Sequence, residues 1–99
     1  MNKPDNKEVQ KKSITVDVPS DLEKGTYANQ VIIGHSQKEF IIDFGVFVPP
    51  GNKIKIVSRV ITNPIDAKAM AIALNENISR YEQMFGTIQI PKGKPNQLH

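Results

Sequence analysis

The stretch from Asn63 to Gly86 decides what the rest of this chain can be. Asn63 is a good helix N-cap, Pro64 fits the first helical position where a missing N–H costs nothing, and Asp66 suits the positive end of a helix. At 100° per residue, Ala67, Met70, Ala71, Leu74, Ile78, Tyr81 and Phe85 fall on one side, the pattern of a helix face that covers a core. Gly86 supplies the left-handed residue that stops it. A helix with so long an apolar side needs something flat and apolar to lie on, so the residues before it should be sheet.

They read that way. Ser13 to Pro19 alternates Ile14, Val16 and Val18 with Thr15 and Asp17, predicting a half-buried edge strand that Pro19 ends. Ser20 to Gly25 is a polar connection with room for one helical turn. Thr26 to His35 is a β-rich run, and His35-Ser36-Gln37-Lys38 turns it into Glu39 to Val48. Pro49-Pro50-Gly51-Asn52 is the strongest turn signal, after which Lys53 to Thr62 returns as a fourth strand. The expected fold class is α+β: an antiparallel β-meander of about four strands, followed by one long C-terminal amphipathic helix packed on the sheet.

With 99 residues there is room for one domain, expected over residues 13–90, between a disordered basic tail at 1–12 and a flexible tail at 91–99. The net charge is +3, but each tail carries +2 and residues 13–86 carry −1, so the basicity belongs to the tails. A nucleic-acid-binding fold concentrates Lys and Arg on one face, with aromatics where bases stack, and no such face is visible. The absence of cysteine excludes a disulfide framework or thiolate metal site and suits a reducing compartment. The apolar runs fall far short of the roughly 20 residues that span a bilayer, and Met1 to Lys12 has no apolar export region. The expected setting is cytoplasmic, with no membrane partner.

A loop centred on Gly51 sets Val48 against Ile54, Val46 against Ile56, Ile42 against Val60 and Phe40 against Thr62, giving one nearly continuous apolar face. The same register puts Phe47 beside Lys55, Ile41 beside Ile61, and Asp43 opposite Arg59 as a cross-strand ion pair. The reverse face thus still carries Ile41, Phe47, Val57 and Ile61, and the helix has a second apolar strip at Ile65, Ala69 and Ile72. One helix covers only one side of a sheet. These seven residues therefore form the candidate interface of a symmetric homodimer, since a domain this small rarely leaves a large apolar patch wet.

Nothing in the sequence points to catalysis or to a cofactor. His35 has Ser36 beside it and Glu39 four residues on, but neighbours on a strand point to opposite faces, and no oxyanion hole or further metal ligand is in view. A turn-capping histidine is the expectation. There is no Gly-rich phosphate loop, zinc spacing or HExxH-type helix. Tyr27, Asn29 and Asn77 are less ordinary, because asparagine disfavours both strand and helix unless its amide has a partner. They predict a polar link between sheet and helix, with a ligand-recognition spot as the alternative.

The motifs Tyr27-Ala28-Asn29, His35-Ser36 with Glu39-Phe40, Asp43-Phe44-Gly45, Ser58-Arg59-Val60-Ile61, Asn63-Pro64 with Ala67-Lys68, and Asn77-Ile78 before Tyr81-Glu82 and Phe85-Gly86 occur in series. Together they resemble a family of small bacterial and archaeal proteins known only as domain of unknown function 3467. The resemblance spans roughly Ile14 to Ile88 and implies a shared architecture, without an activity, cofactor or partner. The expected function is a non-enzymatic protein-interaction domain, a homodimeric adaptor or accessory subunit with an unknown protein partner. The alternatives are a nucleic-acid-associated protein working through its lysine-bearing tails and a chaperone-like binder of apolar polypeptide.

Overall fold

The computed structural model describes residues 13–92. After a single 3-10 turn at Ser20–Leu22 come three strands, β1 (Gln30–His35), β2 (Phe40–Phe47) and β3 (Ile54–Thr62), and one helix, α1 (Pro64–Phe85). The sheet is an antiparallel meander in the order β1-β2-β3. The described residues are α+β, as expected, with three strands rather than four.

The missing strand is the first. Ser13 to Pro19 has the right alternation but forms no ladder with any described residue, and Ile14 and Val16 are 89% and 83% exposed. Alternation says which way side chains would point if a ladder formed. It does not supply a neighbouring strand edge. The 3-10 turn is closed by the Leu22 amide donating to the Pro19 carbonyl at 2.9 Å, and Gly25 turns the chain with φ +74°.

The β1–β2 hairpin turns at Ser36 to Glu39, where the Ser36 amide donates to the Glu39 carbonyl at 2.9 Å. Between β2 and β3 the expected register holds from Phe40↔Thr62 to Phe44↔Ser58, then shifts by one so that Gly45 faces Ile56, Val46 faces Lys55 and Phe47 faces Ile54. Val48 with Ile54, Val46 with Ile56 and Phe47 with Lys55 are thus corrected. Val57 is the extra residue of a β-bulge. Gly45 sits where the shift occurs, and a Cβ there would lie 2.7 Å from Ile54 Cγ2 and 3.0 Å from the Lys55 carbonyl oxygen.

The helix starts and stops where its signals lie. The Asn63 Oδ1 accepts from the Asp66 amide at 2.7 Å, and the Asn63 amide group donates back to Asp66 Oδ2 at 2.8 Å, a reciprocal cap. Gly86 follows with φ 96° and ψ 166°, beyond the left-handed well and in a region open essentially to glycine alone. Its amide still donates to the Glu82 carbonyl.

The helix does not, however, lie on the sheet. No residue of α1 is buried, and Leu74 and Phe85, on the face expected to cover a core, are 59% and 67% exposed. Among the described residues the only elements in extensive contact are β1 with β2 and β2 with β3. The connection explains this: Asn63 alone separates β3 from Pro64, and it is held extended at φ −89°, ψ 166°, as a residue before proline tends to be. Folding a helix back over its own sheet takes a connection of several residues. Among the described residues the buried apolar core of the single chain amounts to Ile42, at 4% exposure.

Candidate interaction surface

Strand alternation and the observed register divide the sheet into two faces. Val31, Ile33, Phe40, Ile42, Phe44 and Val60 share the first, with His35 and Thr62 at its end. The second holds Ile32, Ile41, Phe47, Ile54 and Ile61, together with Gln30, Asp43 and Arg59. Both are largely apolar, and α1 covers neither.

On the second face Asp43 and Arg59 sit directly opposite each other. The Arg59 Nε donates to Asp43 Oδ1 at 2.7 Å and Nη2 donates to Oδ2 at 2.9 Å, a two-pronged pair whose geometry suits a guanidinium and a carboxylate. The hydrogen bonds from Arg59 hold the Asp43 carboxyl below its ordinary range, helped by the guanidinium charge and opposed by desolvation. Asp43 is 9% exposed while the Arg59 side chain remains open to solvent. The arrangement holds neighbouring strands in register.

Asn29 stands just before β1 and extends the ladder with both its backbone and its side chain. Its amide N–H donates to the Gly45 carbonyl at 2.9 Å; its Nδ2 donates to the Phe47 carbonyl at 3.1 Å, and its Oδ1 accepts from the Phe47 amide at 2.9 Å. The side chain thus imitates a strand backbone, pairing the last residue of β2 after β1 has run out. The Asn77 Nδ2 donates to the Ala73 carbonyl one turn back along α1, and Tyr27 is exposed. These bonds tie Asn29 to the sheet and Asn77 to its own helix, and among the described residues no extensive contact joins α1 to the sheet.

His35 stacks on Phe40 across the hairpin, with ring centroids 5.3 Å apart. The capping oxygen of the turn belongs to Ser36, whose Oγ accepts from the Lys38 and Glu39 amides at 3.3 Å each. The histidine flanks the turn and does not cap it, because the shorter hydroxyl is already aimed at the two amides. Beside this hairpin Lys38, Glu39, Ile61, Thr62 and Asn63 line a shallow depression. Among the described residues no three His, Cys, Asp or Glu side chains gather where they could hold a metal ion.

Of the residues expected at an interface, Ile41, Phe47 and Ile61 lie on the second face, whereas Val57 occupies the bulge. Ile65, Ala69 and Ile72 are exposed on α1. The helix stripe is continuous as far as Tyr81 and Phe85, whose rings meet at 4.9 Å. Sequence reasoning missed Gln30, which is 3% exposed and whose Oε1 has no hydrogen-bond partner. Its only sequence signal was an amide side chain at the start of an apolar strand. The lysines of residues 1–12 and Lys94, on which a polyanion-binding role depends, lie outside the described residues, as do the expected tail at 1–12 and all but the first two residues of that at 91–99. No helix among the described residues is long and apolar enough to cross a membrane.

These features define a class: a small open-faced α+β unit that presents apolar surfaces and lacks, among its described residues, a clustered metal-binding site. The chain belongs to the family described as Protein of unknown function (DUF3467), whose family model matches residues 1–90. No curated protein and no solved structure matches it.

Proposed function

We propose that this protein is a non-enzymatic interaction module that works as a homodimer in the cytoplasm, as an adaptor or accessory subunit. One observation supports the reading: among the described residues a single chain fully buries one large apolar side chain, Ile42, while Ile33, Ile56, Val57, Val60 and Ile61 on the sheet and the stripe of α1 stay exposed and the other apolar side chains of the sheet are only half-buried. A chain of this size needs most of its apolar surface removed from water to offset the entropy of ordering. A second copy is the economical source of that cover, because a two-fold axis lets one set of exposed residues be buried twice.

Light scattering coupled to size exclusion tests this. The wild-type protein is expected at about 22 kDa, twice the 11.0 kDa chain mass, across micromolar concentrations. Leu74→Glu, in the middle of the stripe, should lower that mass. Ser79→Glu, about 140° round the helix, should not. A wild-type mass of about 11 kDa at every concentration would overturn the homodimer.

A further inference from the structure

Each protomer of the proposed homodimer carries two apolar surfaces of complementary kind. The first sheet face, through Ile33, Phe40, Ile42, Phe44 and Val60, carries Ser58 and Lys55 on the edge strand β3 and His35 and Thr62 at its end, and has no polar residue on the central strand. The opposite face has the Asp43–Arg59 pair in its midst and the buried Gln30 at the start of β1, so an apolar cover there leaves more polar atoms to satisfy. The helix α1 is about 33 Å long for 22 residues, and its stripe from Met70 through Leu74 and Tyr81 to Phe85 spans about 22 Å, against roughly 27 Å for the eight residues of β2. Helix and face match in length and character, and within one chain they are kept apart by the one-residue junction at Asn63.

We infer that α1 of each protomer lies across the first sheet face of the other, so that the dimer forms by reciprocal exchange of helices. The inference rests on the homodimer reading and adds to it which surfaces meet. The area is sufficient. The four large stripe residues are 44–67% exposed, which leaves on the order of 400 Å² of accessible surface. The exposed Ile33 and Val60 and the half-buried Phe40 and Phe44 add on the order of 250 Å² from the sheet face, so two reciprocal contacts remove on the order of 1,300 Å² in all, within the range of a standard specific interface. An exchange of this kind asks for no new fold, only that each helix find the same surface on a second copy.

Isotope-filtered NMR on dimers mixed from ¹³C-labelled and unlabelled chains reads the arrangement without assuming a contact register. Exchange predicts intermolecular NOEs from the Leu74 and Ile78 methyls to Ile33, Phe40 and Val60. A dimer whose helix–sheet NOEs are all intramolecular, or whose only intermolecular NOEs join helix to helix, overturns the exchange and leaves the homodimer standing. A monomer at the concentrations of the experiment overturns both.

Discussion

Gly45 is where two registers of the sheet meet, and it has no room for a side chain. In Gly45→Ala the new methyl meets the Ile54 side chain and the Lys55 backbone, so β3 must shift or the bulge must open. The expected cost is about 1–3 kcal/mol, read as a lower urea midpoint with an unchanged slope. An equal midpoint would show that the strands part without penalty. A few residues away, Asp43 makes stability depend on acid. Its carboxyl is held below its ordinary value by Arg59, so the pair's stabilisation is complete above the usual carboxylate range near pH 4 and is lost as the pH falls through the lowered folded-state value. In Arg59→Met, desolvation is left acting on Asp43, and that acid-side loss should shrink or change sign. Unfolding free energies compared from pH 2.5 to 7 would show parallel curves if the pair were idle. The pairing of these two residues was legible because alternation on both strands set them opposite each other. The bulge was not legible, since Ile56 and Val57 are both apolar and a one-residue shift between them leaves the hydrophobic pattern intact. Asn29 was legible as unusual for a strand, but that a side chain would stand in for backbone is a matter of geometry, which residue type does not encode.

At the scale of elements, the sequence marked β2, β3 and α1 to within a residue or two, because turn and capping residues are local signals that act through local hydrogen bonds. Ser13 to Pro19 was misread for the opposite reason: a strand is a relation between two segments, and its alternation was present without a partner. The placement of α1 was misread too. An amphipathic stripe states that a helix wants cover and says nothing of whose surface provides it. The length of the connection decides that, and Asn63 by itself is too short. Inserting about six Gly/Ser residues between Thr62 and Asn63 keeps the helix cap and gives α1 the reach to return to its own sheet. The variant is expected to shift toward a folded species of single-chain mass in light scattering. If it stayed as dimeric as the wild type, the short junction would not be what separates helix from sheet.

At the scale of the whole molecule, the chain carries the parts of a core without assembling one. The sheet holds its register through its ladder, the Asn29 bridge and the Asp43–Arg59 pair, and the helix holds its ends through Asn63 and Gly86. What joins them into one stable body, on the reading proposed above, comes from another copy. The one-residue junction then has a consequence in time. If burial waits for an encounter, folding is second order, and association constants of about 10⁵–10⁶ M⁻¹s⁻¹ give half-times of seconds at micromolar chain but tens of minutes to hours at nanomolar. Until then each newly made chain offers its bare strands to proteases and to other sticky polypeptides. Accumulation would rise more steeply than synthesis, and a cell making little of this protein would keep almost none of it.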